Sequence, residues 1–228
     1  FGCDMNELSD PAIDVYDNAM FLIALDYLLE MAPDSPQAPR WRSLREGIAK
    51  NVRTHLWDEK RQKFIPHIYP EKSPIPEGFD ELAIHYHGGT AIAIEAGLLS
   101  EDEIRTVNAQ MLENVRLSGM PSIGLTLYPV YPDGFFHGGM SKAYLYQNGG
   151  DWTWFGGRMI QQLVVNGMVE EAYAEIHPMI ERVIQNDGFY EWYGKGGVPS
   201  GSGNFKGSAG VLSKAIELLR DWAEKNKS

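Results

Sequence analysis

The twelve residues Tyr146-Gln147-Asn148-Gly149-Gly150-Asp151-Trp152-Thr153-Trp154-Phe155-Gly156-Gly157 gather amides, a carboxylate, two indoles and four glycines immediately before an apolar helical run. Glycines let a backbone turn tightly and approach a ligand closely. Indoles present flat faces with a donor edge, and amides satisfy hydroxyls in both directions. Flat apolar faces ringed by hydroxyl-seeking groups suit a sugar ring. The bland alternative is an aromatic helix-entry turn, for which one or two glycines would suffice. Tyr146, Gln147, Asn148, Asp151, Trp152 and Trp154 are therefore candidate ligand contacts. Asp151 has a second reading, as a carboxylate at a helix N-terminus, where the dipole favours it and it caps free amides.

A second stretch, Gly188 to Ala209, sets Glu191 among Phe189, Tyr190, Trp192 and Tyr193. A carboxylate among aromatics is partly desolvated, which raises its pKa and suits acid or base duty. The alternative is an exposed glutamate in a short strand whose neighbours pack below it. His85-Tyr86-His87-Gly88-Gly89 opens a further helix. A tetrahedral metal site needs three or four ligands, and no nearby Cys, His or Asp cluster completes one. His85 and His87 are read instead as donors to sugar hydroxyls, with His137 a weaker case of the same kind. The stiff Tyr128–Phe136 loop is either an aromatic wall of the site or a hairpin over the end of the fold, turning at Asp133-Gly134. No phosphate-binding glycine fingerprint and no nucleophile elbow is present. No metal and no cofactor is expected.

The elements that must position these residues are helical. Apolar residues at helical spacing predict a helix from Asp14 to Met31, ended by Pro33, Pro36 and Pro39. A second runs through Trp41, Leu44, Ile48, Val52 and Leu56, and a third from about Tyr86 to Ala96. Ser100 and Glu103 stand in capping-box spacing for a fourth, to about Arg116. The fifth spans Asp151 to Val165, the sixth Val169 to Gln185 and the seventh Gly207 to Lys225. Two junctions, Glu95-Ala96-Gly97-Leu98-Leu99 and Val165-Asn166-Gly167-Met168-Val169, share one pattern of helix, glycine and apolar pair. Connections this short imply antiparallel αα-hairpins. Between the helices lie three long connections, Trp57–Glu81, Ser118–Gly150 and Asp187–Lys206, rich in Gly, Pro and aromatics. Loops of that length in a helical domain are usually functional. They are expected to converge on one end of a toroid of helical hairpins.

The acid, aromatic, Gly-x-Pro and small polar residues that lead from Glu191 into Gly207-Ser208-Ala209 resemble the six-hairpin glycosidases, which fold as an (α/α)6 barrel. The chain is similar to glucoamylases and to the amylo-glucosidase domain of glycogen debranching enzymes. Tyr146-Gln147-Asn148-Gly149-Gly150 resembles the loops that line sugar subsites there. Asp14-Val15-Tyr16-Asp17-Asn18-Ala19-Met20-Phe21 resembles the start of the inner helix after the general-acid loop. The resemblance covers essentially the whole chain, as the last seven helices of twelve, and reaches superfamily level without naming a substrate. It implies an inverting glycoside hydrolase with Glu191 as general base. The family's acid motif has no clean counterpart; by position the acid falls among Asp4, Glu7 and Asp10, and Asp4 ranks first. The alternatives are that these are ordinary capping acids, Asp10 before Pro11 being the clearest simple cap, or that the acid lies upstream of Phe1.

Composition sets the outer limits. The 228 residues suffice for a large core, read as one domain that is the C-terminal portion of a longer catalytic barrel. A formal net charge of −11 argues against nucleic acid and against anionic membranes, both of which call for basic patches. The one cysteine, Cys3, rules out an internal disulfide and leaves the compartment open. The expected partners are an oligosaccharide or glycoside substrate and the missing N-terminal part of the same barrel, docking on apolar faces of the first two helices. A sugar isomerase using His85 and His87, and a non-catalytic carbohydrate-binding fragment, are the competing readings.

Overall fold

A computed structural model describes residues 11–136 and 138–227; Asp4, Glu7, Asp10 and His137 lie outside them. Seven α-helices dominate the described residues: α1 (Val15–Met31), α2 (Ala38–His55), α3 (His87–Glu95), α4 (Glu101–Ser118), α5 (Thr153–Val165), α6 (Val169–Gln185) and α7 (Lys206–Lys225). Strands are confined to two ribbons, β1 (Trp57–Asp58) with β2 (Lys63–Phe64) and β3 (Trp192–Tyr193) with β4 (Pro199–Ser200). No helix among the described residues is long and apolar enough to cross a membrane.

The helices form two rows. α1, α3, α5 and α7 pack successively side by side, while α2, α4 and α6 back α1, α3 and α5. Burial follows that division. All of α3 from His87 to Ile94 is buried, as a helix flanked on every side must be. α2, α4 and α6 keep one apolar stripe and a charged outer face. Small residues let the inner row close up. A Cβ on Gly89 would sit 2.6 Å from Val15 of α1, and one on Gly157 would sit 2.9 Å from Val211 of α7.

The helix ends follow from local chemistry. Ser100 and Glu103 make the reciprocal capping box that starts α4. Gly97 and Gly167 take φ +71° and +77° just past α3 and α5. Leu98 N–H then donates to Ala93 O and Met168 N–H to Leu163 O, closing the carbonyls each helix leaves open. Both junctions fold as the antiparallel hairpins their shared pattern predicts.

Isolated bridges gather the long connections at one rim. Ile13, just before α1, pairs with Ile68; His85, just before α3, pairs with Tyr128; Asp151, before α5, pairs with both Leu125 and Tyr193. Phe189 pairs with Asn204 at the start of α7. The N-termini of all four inner helices therefore share one end of the stack, with the loops laid across it.

The two ends of the inner row are open. α1 exposes Phe21, Tyr27, Leu28 and Met31, the last at 74 %. α2 contributes only Leu44 to that exposure, less than expected. A groove not foreseen in the sequence runs between α6 and α7, lined by Tyr173, Ile180, Ile216, Leu219 and Trp222.

Candidate functional site

On that rim, a cavity of about 310 Å³ opens at the N-terminus of α1. Asp14, Tyr16, Asp17, His67, Tyr86 and Gln147 line it, with Leu127, Tyr131, Phe136 and Met140 forming its apolar side. The Ile13–Ile68 bridge, with N–H···O distances of 2.8 and 2.9 Å, sets Asp14 and His67 at its mouth. Asp14 caps α1 by accepting from Asp17 N–H at 2.8 Å. Burial raises its pKa above the usual carboxylate value, against the lowering by that hydrogen bond. Tyr16 is likewise raised, by burial and then by Asp17 in spite of Arg158, and the Trp154 indole lies beside its phenol.

His67 is fixed from behind. Glu81 Oε1 lies 2.8 Å from His67 Nδ1 and accepts from Tyr69 at 2.7 Å and Tyr131 at 2.6 Å. Burial pushes Glu81 up, but the hydrogen bonds from His67, Tyr131 and Tyr69 outweigh it and hold the carboxyl below its ordinary value. Tyr131 packs against Phe79, Phe135 and Phe136. The proline-stiffened loop is thus a packed hairpin that turns at Asp133-Gly134 and also supplies Tyr131 and Phe136 to the cavity.

Gln147 is the one residue of the glycine-rich stretch that lines this cavity. Its exposed side chain stands out from a pinned backbone, whose carbonyl accepts from Thr126 Oγ1 at 2.9 Å. Tyr146 and Trp154 are half-buried around the same rim. Tyr146 packs edge-on to Trp152 at 4.9 Å and to Trp192 at 6.2 Å, and Arg158 lies 4.8 Å over the Trp154 ring.

Three expected contacts turn out to be internal. Asn148 is fully buried, donating to Tyr131 O and Lys142 O and accepting from Tyr131 N–H. Trp152 is buried and spends its indole N–H on Tyr146 O at 3.1 Å. Asp151 is neither a helix cap nor open to a ligand. The N-cap of α5 is Trp152, without a side-chain cap, and Asp151 is 0 % exposed. Its carboxylate lies 2.7 Å from Arg182 of α6 and accepts from Ser122 Oγ at 2.9 and 2.7 Å. Arg182 also donates to Thr153 Oγ1 at 2.7 Å and lies 4.1 Å over the Tyr193 ring.

His85 and His87 correct the sequence reading as well. They stack on each other at 5.7 Å and face α4, not the cavity. His87 is buried against Asn114, at 2.9 Å from Nε2. Burial, then His85 and Lys63, lowers its pKa to about 3. Burial, then Lys63, lowers His85 to about 4. Lys63, itself buried, donates to Ile84 O.

Glu191 stands beside the Asp151 cluster. Asp151 and Tyr193 exchange both backbone hydrogen bonds, at 2.9 and 2.8 Å, so the Glu191 strand is tied to the entrance of α5. Glu191 N–H donates to Ser202 O, and Ser202 N–H reaches back to Glu191 Oε2 at 3.3 Å. Gly201 takes φ +71° opposite it, and a Cβ there would come within 2.8 Å of Glu191 Cβ. The half-buried glutamate is therefore held by a glycine-tight loop tied through Tyr193 to the entrance of α5, with Trp192 and Tyr193 buried next to it in sequence.

The fold, a toroid-like arrangement of α/α hairpins, is shared with solved glycoside hydrolase structures. Among solved structures, it is similar to the glycoside hydrolase family 63 mannosylglycerate hydrolase from Thermus thermophilus. The complex with Tris and D-glycerate aligns at 16 % identity and TM-score 0.60, over 92 % of this chain and 46 % of that one. The complex with glucose aligns at 17 % identity and TM-score 0.60, over 92 % and 48 %. An uncharacterized conserved protein from the same organism aligns at 17 % identity and TM-score 0.61, over 92 % and 47 %. The chain spans about half the length of these structures. No protein-family model and no curated protein matches it in sequence.

Proposed function

We propose that this chain is the C-terminal portion of a glycoside hydrolase barrel that cleaves glycosidic bonds by inverting single displacement. Glu191 is the general base: it takes a proton from a water molecule whose oxygen attacks the anomeric carbon. A carboxylic acid on the opposite side protonates the departing oxygen as the C–O bond breaks. An inverting pair holds its carboxyls roughly 6.5–9.5 Å apart to leave room for that water. Asp4 is the proposed acid. Gln147, Tyr146 and Trp154 hold the sugar, and the remaining hairpins of the barrel cover the exposed faces of α1 and the α6–α7 groove.

The observation that carries this reading is the placement of Glu191 on the loop rim of a toroid whose solved counterparts include a glycoside hydrolase. The glucose in one of those counterparts supports a carbohydrate ligand. Glu191→Gln is the test. The amide keeps shape and hydrogen bonding but cannot accept the proton, so kcat falls roughly 10²–10⁴-fold while KM stays close to the parent's. A variant with near-normal kcat on a glycoside the parent barrel cleaves would refute the role.

A further inference from the structure

We infer that the cavity at the head of α1 selects for charge, accepting a neutral or amine-bearing sugar ring and rejecting one that carries a carboxylate. The inference rests on the carbohydrate reading above and assigns its specificity to Asp14 and Asp17, residues that reading leaves without a role.

Size comes first. A volume of about 310 Å³ lies at the lower end of the range of small-molecule pockets, roughly 300–1,000 Å³, and fits a single ring. The lining is rich in groups that bond hydroxyls: the phenols of Tyr16 and Tyr86, the Gln147 amide, the His67 imidazole and two carboxylates. Opposite them, Leu127, Phe136 and Met140 form an apolar face for the ring's C–H groups.

Charge decides the rest. Neither lysine nor arginine lines the cavity among the described residues. Arg158 of α5, whose charge reaches Tyr16, is paired with both oxygens of Glu95 at 2.7 and 2.6 Å. His67 is the one imidazole of the lining, and Glu81 Oε1 stands 2.8 Å behind its Nδ1. Among the described lining residues, the two carboxylates of Asp14 and Asp17 outnumber the one imidazole. Asp14 and Asp17 sit one turn apart at the start of α1, where the helix N-terminus favours negative charge. A ligand carboxylate brought among them meets like charge in a partly desolvated site, where screening by salt is weaker than at the surface. Hydroxyls and ammonium groups instead find acceptors.

The test is a binding comparison of three matched pyranoses, D-glucose, D-glucosamine and D-glucuronate, read by ligand-observed NMR at neutral pH. Glucosamine is expected to bind at least as tightly as glucose, and glucuronate roughly tenfold or more weakly. Asp17→Asn is the primary variant, because Asp17 contributes only its backbone N–H to the α1 cap and the substitution spares the fold. It should narrow the gap between glucose and glucuronate, and adding Asp14→Asn should narrow it further. Equal binding of glucose and glucuronate, an unchanged gap in both variants, or no binding of any of the three would overturn the inference. Binding selectivity is read without turnover. A chain that discriminates as stated but supports no hydrolysis leaves this inference standing and removes the proposed reaction; cleavage of glucuronides by an active barrel does the reverse.

Discussion

Arg182→Ala tests whether the Asp151 cluster holds the Glu191 strand in place. Asp151 is 0 % exposed and Arg182 5 %, so the substitution leaves a carboxylate in the interior with only Ser122 Oγ as side-chain donor. Removing one partner of a buried ion pair costs about 3–5 kcal/mol, because the remaining charge keeps its desolvation penalty without its counter-charge. The change also removes the cation stacked 4.1 Å over Tyr193 and the donor to Thr153. In a chain of this size each kcal/mol moves Tm by about 2–4 °C, so a fall of about 6–20 °C is expected by calorimetry. The double variant Asp151→Leu with Arg182→Met takes away both charges and should recover a large part of that loss. The amide of Tyr193, which donates to Asp151 O at 2.8 Å, should exchange faster in Arg182→Ala than amides of α3. A Tm loss below about 2 °C, or a double variant less stable than the single, would refute the assignment of this pair as the clamp.

Further outcomes follow from the other buried groups. Burial, and then Glu171 in spite of the Asn108 hydrogen bond, raises Glu175 from 4.5 to about 7. Glu175 accepts from Asn108 Nδ2 at 2.8 Å in the interior, where burial favours its neutral form. A folded pKa above the unfolded one means this contribution is complete below about pH 4.5 and lost as pH rises through about 7. Glu175→Gln should flatten that decline in a urea-denaturation series. His87 behaves in the opposite sense: its pKa falls from 6.5 to about 3, so its contribution is complete above pH 6.5 and is lost as the pH drops toward 3. His87→Gln should shrink the slope of stability between about pH 6.5 and 4, and an unchanged slope would show that His87 ionises freely. Gln147→Ala should weaken glucose binding several-fold while leaving Tm within about 1 °C, because its side chain is exposed and only its carbonyl serves the fold.

Legibility of the fold tracked how local each signal was. Helical periodicity, the Ser100–Glu103 box and the two glycine junctions are each written within a few residues, and each folds as read. The exit of the inner helices onto one rim was also legible, because alternation of direction is fixed by short connections. Non-local pairing was not. Asp151 precedes a helix and follows two glycines, which is the spacing of a cap; the Arg182 that claims it sits in the last turn of α6, where a cation has the ordinary reason of favouring the dipole. His85 and His87 flank the start of α3, but the rotation of that helix turns them onto α4 and the buried Lys63. Gln147 and the Tyr128–Phe136 loop were legible, but Asp14, Tyr16, Asp17, His67 and Tyr86 were missed as cavity residues for the same cause. His67 reaches Asp14 only through the Ile13–Ile68 bridge, and nothing in either stretch advertises the other.

Proton NMR of the newly released sugar gives the most direct test of the central claim. A barrel carrying this chain is mixed with an α- or β-linked oligosaccharide, and the anomeric signals are followed before mutarotation. Inversion of configuration at the cleaved bond, lost in Glu191→Gln while sugar binding persists, is the expected result. Retention of configuration, or cleavage that continues at the parental rate in Glu191→Gln, would contradict the assignment of Glu191 as the base of a single-displacement glycoside hydrolase.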